Sequence, residues 1–370
     1  IPYFSDGQRT VSSMEDKLNL ARDFFRGLMG TPAPVYSSLL LDQLEINSLP
    51  PDLACGLEAM FTENEVKQVI MDMPADRAPG PDGFSGLFYK VCWDIISQDF
   101  MAVMLELHRN KFLSFGLLNS SIITLLPKKE CSLEVADFRP INLIHGVAKI
   151  FAKVLAVRLA PLLLALVSQV QSAFISRRSM HENFKFVHNT ARELHRKKIP
   201  SVLMKIDISK AFDTLSWEFI IQILKRRGFG NRWCSWICGL LRTASSSVRV
   251  NGEISEPFSL GSGVRQGDSL SPALFILVMD ILQAMINWAA QNNLLSSLGH
   301  NSNMPRASFF ADDAVLFLRN CSSDMEVIVA ILKLFGEASG LRINLQKSTV
   351  TCIRCDESPS SAVAQFFGCQ

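Results

Sequence analysis

Apolar and polar positions repeat with two different periods along this chain, and the changes of period mark out its elements. Near the start, Leu18, Ala21, Phe25 and Leu28 recur at helical spacing behind a Ser12/Glu15 capping-box pattern, and Gly30, Pro32 and Pro34 end the run. A second helix is predicted to open at Thr62 and Glu65, to bury Val66, Val69, Ile70 and Met73, and to stop at Pro74. Residues 31–60 between them read as a connector. Further along the period drops to two. Residues 202–208 predict a buried strand, residues 247–258 a hairpin with Asn251-Gly252 in a type I′ turn, and residues 308–317 two strands meeting at a tight turn. Residues 269–290 return to helical spacing, with Ser271 as cap, Pro272 in the first turn, and Leu274, Leu277, Val278 and Ile281 as an apolar stripe. The mixture predicts an α+β fold.

Three acids interrupt this pattern. Asp207 is the single acid in its apolar strand, which is costly unless it is liganded or hydrogen-bonded. Asp312 and Asp313 sit side by side between two apolar runs. They read either as a solvated Asp-Asp turn or, since adjacent carboxylates repel unless a cation lies between them, as half of a metal site. Hard oxygen donors without a neighbouring histidine suit Mg²⁺ or Mn²⁺ better than zinc. That chemistry points to phosphoryl transfer, in which two ions hold the attacking and leaving oxygens of an in-line displacement.

Ordered blocks flank these acids. RAPGPDGF stands at 77–84, LLPKKE at 125–130, DFRPINLI at 137–144, KIFAKVLAVRL at 149–159 and QSAFISRRSMHEN at 171–183. KIDISKAFD follows at 205–213, GVRQGDSLSPALF at 263–275, FFADD at 309–313 and GLRINLQKS at 340–348. In this order they resemble the reverse transcriptase of a LINE-type, non-LTR retrotransposon. The resemblance implies a right-hand polymerase fold: an antiparallel-sheet palm with helices packed on one face, plus fingers, with the thumb largely absent. It divides the chain into a helical leader and connector at 1–60, fingers and fingers-palm region at 61–200, and palm at 201–370. The implied activity is RNA-directed DNA synthesis, with an RNA template, a DNA primer, dNTPs and two Mg²⁺ (or Mn²⁺) ions.

Residue by residue, the resemblance makes Asp207, Asp312 and Asp313 catalytic and gives the metals to them and to the Ile208 carbonyl. Lys128 and Arg139 match the cations that grip the nucleotide triphosphate, a point charge and a planar fork, with Lys129 equally placed. Phe212 matches an aromatic that lies under the sugar and collides with a 2′-hydroxyl, although at this spacing it also reads as core. Gln266 and Gly267 match the turn packed on the incoming base pair, glycine permitting close backbone approach. Lys347 stands where a proton donor for departing pyrophosphate is expected, or is a surface lysine. Arg178 matches an arginine that touches nucleic-acid backbone. The pattern departs at Arg177, where glycine is usual, and at Ser269, where proline is usual. RAPGPDG lacks the lysine-hydroxyl ending of a phosphate-binding P-loop and reads as a structural part of the fingers.

Composition changes the picture at only a few points. With 48% apolar and 19% charged residues over 370, there is ample material for a core. The net charge of +2 hides an uneven distribution: residues 1–100 hold 7 Lys+Arg against 15 Asp+Glu, and residues 121–200 hold 13 against 5. The basic stretch falls on the expected fingers and fits a phosphate backbone. The apolar run at 160–167 is shorter than the roughly 20 residues that span a bilayer, and no leader pattern opens the chain, so no membrane is expected. Nine scattered cysteines read as reduced thiols of an intracellular protein, which the resemblance places in nucleus and cytoplasm. Cys352 and Cys355, with Cys369 nearby, lack the second pair a zinc site needs, and the alternation there reads as strand. Opening on Ile1 and closing at Gln370, the chain reads as a fragment without endonuclease or thumb, for which weak, distributive synthesis is expected. The alternative is a truncated transposon relic that only binds RNA.

Overall fold

The alternation about residue 204 builds the central strand of the molecule, Ser201–Ile206. In the computed structural model, which describes residues 1–5, 10–32, 41–130, 132–299, 305–355 and 366–368, it lies between two antiparallel neighbours. Asp313–Arg319 pairs on one side and Thr349–Ile353 on the other, and Ala307–Phe310 closes the far edge. Pro34 and Cys369 lie outside the described residues. The strand stops one residue before Asp207 instead of running on to 208, which leaves the acid at the sheet margin.

Strand alternation decides what covers this sheet. Val202, Met204 and Ile206 join Ala314, Leu316 and Leu318 in the main core. Leu203, Val315 and Phe317 face the other way and are covered by Phe186, Val187 and Leu194 of the helix Met180–Arg196. Helices therefore cover both faces, one more than the sequence led us to expect, because both residue sets are apolar.

A second sheet runs in the order Phe138–Ile144, Ser120–Pro127, Ser245–Val250 and Glu253–Ile254. Its Ser120–Pro127 and Ser245–Val250 strands are parallel. The expected hairpin is present, with φ 50° at Asn251 and 97° at Gly252 as a type I′ turn requires.

Helix starts follow local chemistry closely. Thr62 accepts the Glu65 N–H as predicted. The first helix, Met14–Met29, is capped by Ser13 accepting from Asp16 N–H, one residue later than the Ser12/Glu15 pattern suggested, which turns Ala21, Phe25 and Met29 inward. The helix Ser271–Gln291 has no side-chain cap from Ser271; the Asp268 carboxylate instead accepts the N–H of Leu270. Nor does it carry a stripe, since it is buried nearly all round. By length and composition it is apolar enough to cross a bilayer, more so than the run at 160–167, and 83% of its most apolar stretch is buried inside the protein. Residues 41–60 are more than a connector: Leu41, Leu44, Leu49, Ala54 and Leu57 enter the main core around the short helix Pro51–Leu57.

The RAPGPDGF segment is a helix brace, as its lack of P-loop features implied. The Asp82 carboxylate accepts the Gly146 N–H at 2.7 Å and the Tyr89 hydroxyl at 3.0 Å, capping the helix Gly146–Leu166. Burial and this neighbouring carboxylate push the Tyr89 phenol up. Arg177 has φ 67°, the left-handed region where the family's glycine is free and an L side chain costs about 1–2 kcal/mol.

Candidate active site

Register brings the three acids together. Ala314 pairs with Ile206, so the next position sets Asp313 beside Asp207 at the same end of the sheet, with Asp312 at the hairpin tip. Burial pushes the Asp312 carboxyl above its ordinary range, and the charges of Asp313 and Asp207 add to the push. Asp313 is 58% exposed and turns its Oδ1 to Lys205 Nζ at 3.4 Å. Among the described residues, no three His, Cys, Asp or Glu side chains are already drawn close enough to hold an ion.

Two clamps fix the backbone here. Ala311 at the hairpin tip is left-handed, φ 55°. The buried Gln171 holds it, its Oε1 accepting from Ala311 N–H and Ala173 N–H. Across the sheet, Asn344 N–H donates to the Asp207 carbonyl and Ser209 N–H to the Arg342 carbonyl, bridging Ile208 to Ile343. That bridge uses neither the N–H nor the carbonyl of Ile208, which leaves the carbonyl oxygen available. Three carboxylates and a spare carbonyl, without thiol or imidazole, fit a hard divalent cation.

Asp207 and Asp312 line a cleft of roughly 440 Å³ together with Lys128, Arg139, Lys210, Phe212, Gln266 and Lys347, with Phe24 and Asp213 among its other walls. A larger cavity of about 680 Å³ lies behind the sheet and holds none of these groups. Lys128 Nζ donates to the Ala136 carbonyl at 2.7 Å. Burial lowers its pKa, and repulsion from Lys347, Lys210 and Arg139 lowers it further, so the cations converge on one space. Lys129 does not share this place, because Asp137 holds its ammonium at 2.9 Å. Phe212 lines the cleft and is at the same time stacked on Phe275, with ring centroids 4.8 Å apart.

Gly267 has φ 102°, and a Cβ there would lie 3.2 Å from the Asn142 carbonyl oxygen, so the turn needs glycine. Gln266 donates through Nε2 to Asp213 Oδ1 at 3.0 Å. The turn is anchored by the buried Arg265, which donates to Oδ1 of the buried Asn119 at 2.7 Å and faces Asp268 at 3.5 Å.

Arg178 lies away from the cleft. Its guanidinium donates to the carbonyls of Leu164, Val167, Ser168 and Gln171, closing the C-terminus of the helix Gly146–Leu166. With those donors engaged it acts as a structural clamp.

Sequence reading passed over Asp213, Lys210, Gln171 and Phe24. Asp213 was in plain view in KIDISKAFD; its burial was not. Burial raises its carboxyl to about 6, against lowering by the Gln266 hydrogen bond and by Lys210 and Lys128. A raised acid pKa favours the folded state most where the unfolded group is still protonated, and that advantage is lost as pH rises from about 4 to about 6. Asp213→Asn is therefore expected to match the wild type in stability at pH 4 and to exceed it by up to about 3 kcal/mol above pH 6.5, about two pKa units at 1.36 kcal/mol each. Urea unfolding at the two pH values measures it; an equal gain at both would place the cause elsewhere.

Residues 126–370 match the family described as reverse transcriptase (RNA-dependent DNA polymerase). The chain belongs to this family. Reverse transcriptases use divalent metal ions, in keeping with the donor set described above. The chain is 26% identical over 293 residues to a transposon TX1 protein of Xenopus laevis, covering 79% of this chain and 22% of that protein. It is 27% identical over 322 residues to the Pol polyprotein of the retrotransposable element R2DM of Drosophila melanogaster, covering 82% and 28%. To the RNA-directed DNA polymerase from the mobile element jockey of the same fly it is 26% identical over 233 residues, covering 61% and 25%. The chain thus spans about a quarter of the length of the curated relatives it matches. Among solved structures, telomerase from Candida tropicalis in complex with a telomeric RNA fragment is similar with a TM-score of 0.46 at 13% identity, over 74% of this chain and 46% of that one.

Proposed function

We propose that this reverse transcriptase chain is the fingers and palm of a non-LTR retrotransposon polymerase, adding dNTPs to a DNA primer 3′-hydroxyl while copying RNA. The observation that carries the reading is the meeting of Asp207, Asp312 and Asp313 at one sheet end, with Asp207 and Asp312 lining a cleft walled by lysine and arginine. Asp207, Asp312, Asp313 and the Ile208 carbonyl would hold two Mg²⁺ or Mn²⁺ ions, whose chemistry when bound is to stabilise charge on the attacking and leaving oxygens.

The chain's own residues do the rest. Lys128 and Arg139 bind the triphosphate by charge and by fork. Lys347, on the same rim, gives a proton to departing pyrophosphate. Phe212, held in place by Phe275, supports the sugar and selects against a 2′-hydroxyl. The Gln266-Gly267 turn, fixed by Asp213 and Asn142, seats the incoming base pair.

Primer extension on poly(rA)/oligo(dT) with dTTP and Mg²⁺ or Mn²⁺ tests the reading. Incorporation by the wild type is expected, falling to background in Asp207→Ala. Incorporation that survives the substitution removes Asp207 from the site, and RNA retained on filters with background incorporation in the wild type would favour the relic.

A further inference from the structure

The first helix, Met14–Met29, lies outside residues 126–370 that match the reverse transcriptase family, yet its Phe24, Phe25 and Leu28 form one wall of the cleft. The Phe24 ring is fixed edge-on to the buried Phe25, with centroids 5.1 Å apart and planes at 89°. Lys210 Nζ lies 4.6 Å over the Phe24 ring. The backbone of Lys210 is left-handed, φ 48°, a conformation that persists in a non-glycine residue where its surroundings hold it. Both Lys128 and Asp213 feel the Lys210 charge.

The choice of an aromatic partner has a chemical consequence. A carboxylate would aim a lysine equally well but would neutralise it and compete with an anionic ligand. A ring face attracts the cation through its quadrupole, leaves the charge in place, and leaves N–H donors on the far side free. Lysine also has many rotamers, so a fixed ring that selects one prepares the ammonium before a ligand arrives.

We infer that Phe24 is a positioning residue, which aims the Lys210 ammonium at the triphosphate of an incoming nucleotide. This rests on the polymerase reading of the cleft, and it assigns to a helix outside the matched region a share in nucleotide affinity.

The test is equilibrium binding of dTTP to the whole chain without divalent metal, together with KM and kcat for dTTP in primer extension. Lys210→Met is expected to weaken binding about tenfold, the loss of one charge-assisted contact. Phe24→Leu is expected to weaken it about threefold and to raise KM similarly while kcat stays within about twofold. Phe24→Trp should restore wild-type affinity, and Phe24→Leu should add nothing once Lys210 is Met. A Phe24→Leu loss that persists in full on the Lys210→Met background overturns the inference, since the ring then acts otherwise than through Lys210. So does unchanged binding in Lys210→Met, an exposed position that keeps the test open if Phe24→Leu fails to fold. Wild-type primer extension with both variants binding normally sinks this inference alone. A wild type that neither binds dTTP nor extends primer sinks the polymerase reading and the inference with it.

Discussion

Asp312→Asn is expected to lower dTTP incorporation at least about 10³-fold, a barrier increase of about 4 kcal/mol, while raising the stability of the metal-free protein. The two effects have one cause. Asp312 is pushed toward its protonated form by burial and by Asp313 and Asp207, so its charge opposes folding at neutral pH. Asn keeps the shape and removes the charge. The stabilisation should appear at pH 7.5 and vanish near pH 4, because an acid with a raised pKa loses its folding advantage as pH rises through the folded value. Adding Mg²⁺ should reverse the order of melting temperatures, since binding stabilises only the form that keeps the ligand set. Thermal melts with and without Mg²⁺, beside the incorporation assay, measure all three. A variant that melts lower than wild type without metal, or responds to Mg²⁺ as strongly, would show that Asp312 is not held among repelling carboxylates.

The acids themselves were legible because they break a simple rule. Asp207, Asp312 and Asp313 stand in runs of β-branched and aromatic residues where a charge has no business without a partner, and the antiparallel register then leaves one arrangement that shares a sheet end. The Asn251-Gly252 turn and the Thr62 cap were legible for a similar reason, since each is decided by a few adjacent residues. Ser13 and Ser12 differ by one position and offer the same hydroxyl, so only the packing of Ala21, Phe25 and Met29 chooses between them.

What stayed hidden depends on distant residues. The clamp at Arg178 stayed hidden because a sequence records an arginine without recording the four carbonyls that surround it. Asp213 differs from any surface aspartate only through burial under Gln266. Phe24 lies far from Lys210 in sequence, and no local pattern predicts a ring beneath that ammonium. Gln171 was quoted within a block, but its role follows from meeting Ala311 across 140 residues. Local chemistry thus predicted elements and the acidic centre, whereas the residues that hold and surround that centre needed the tertiary contacts.

The largest stability effect is expected at a pair the reaction does not use. Arg227 is 0% exposed and donates to Asp280 Oδ2 at 2.7 Å; Asp280 also accepts the Ser168 N–H, and Arg227 donates to the carbonyls of Asn47 and Leu166. One ion pair therefore ties the core helix Ser271–Gln291 to the end of the helix Gly146–Leu166 and to the 41–60 segment. Burial lowers the Arg227 pKa and Asp280 opposes that shift, so the guanidinium depends on this carboxylate. Asp280→Ala leaves a cation buried without its counter-charge and is expected to cost about 3–5 kcal/mol, lowering the melting temperature by about 10 °C. Removing both charges should cost less, because the desolvation of each ion disappears with it. Arg227→Met with Asp280→Leu is expected to recover at least about half of the single-variant loss, the remainder reflecting the Ser168, Asn47 and Leu166 groups left unpaired. Urea melts of the four proteins decide the matter: a double variant no more stable than Asp280→Ala would mean that Asp280 acts through the Ser168 backbone rather than through Arg227.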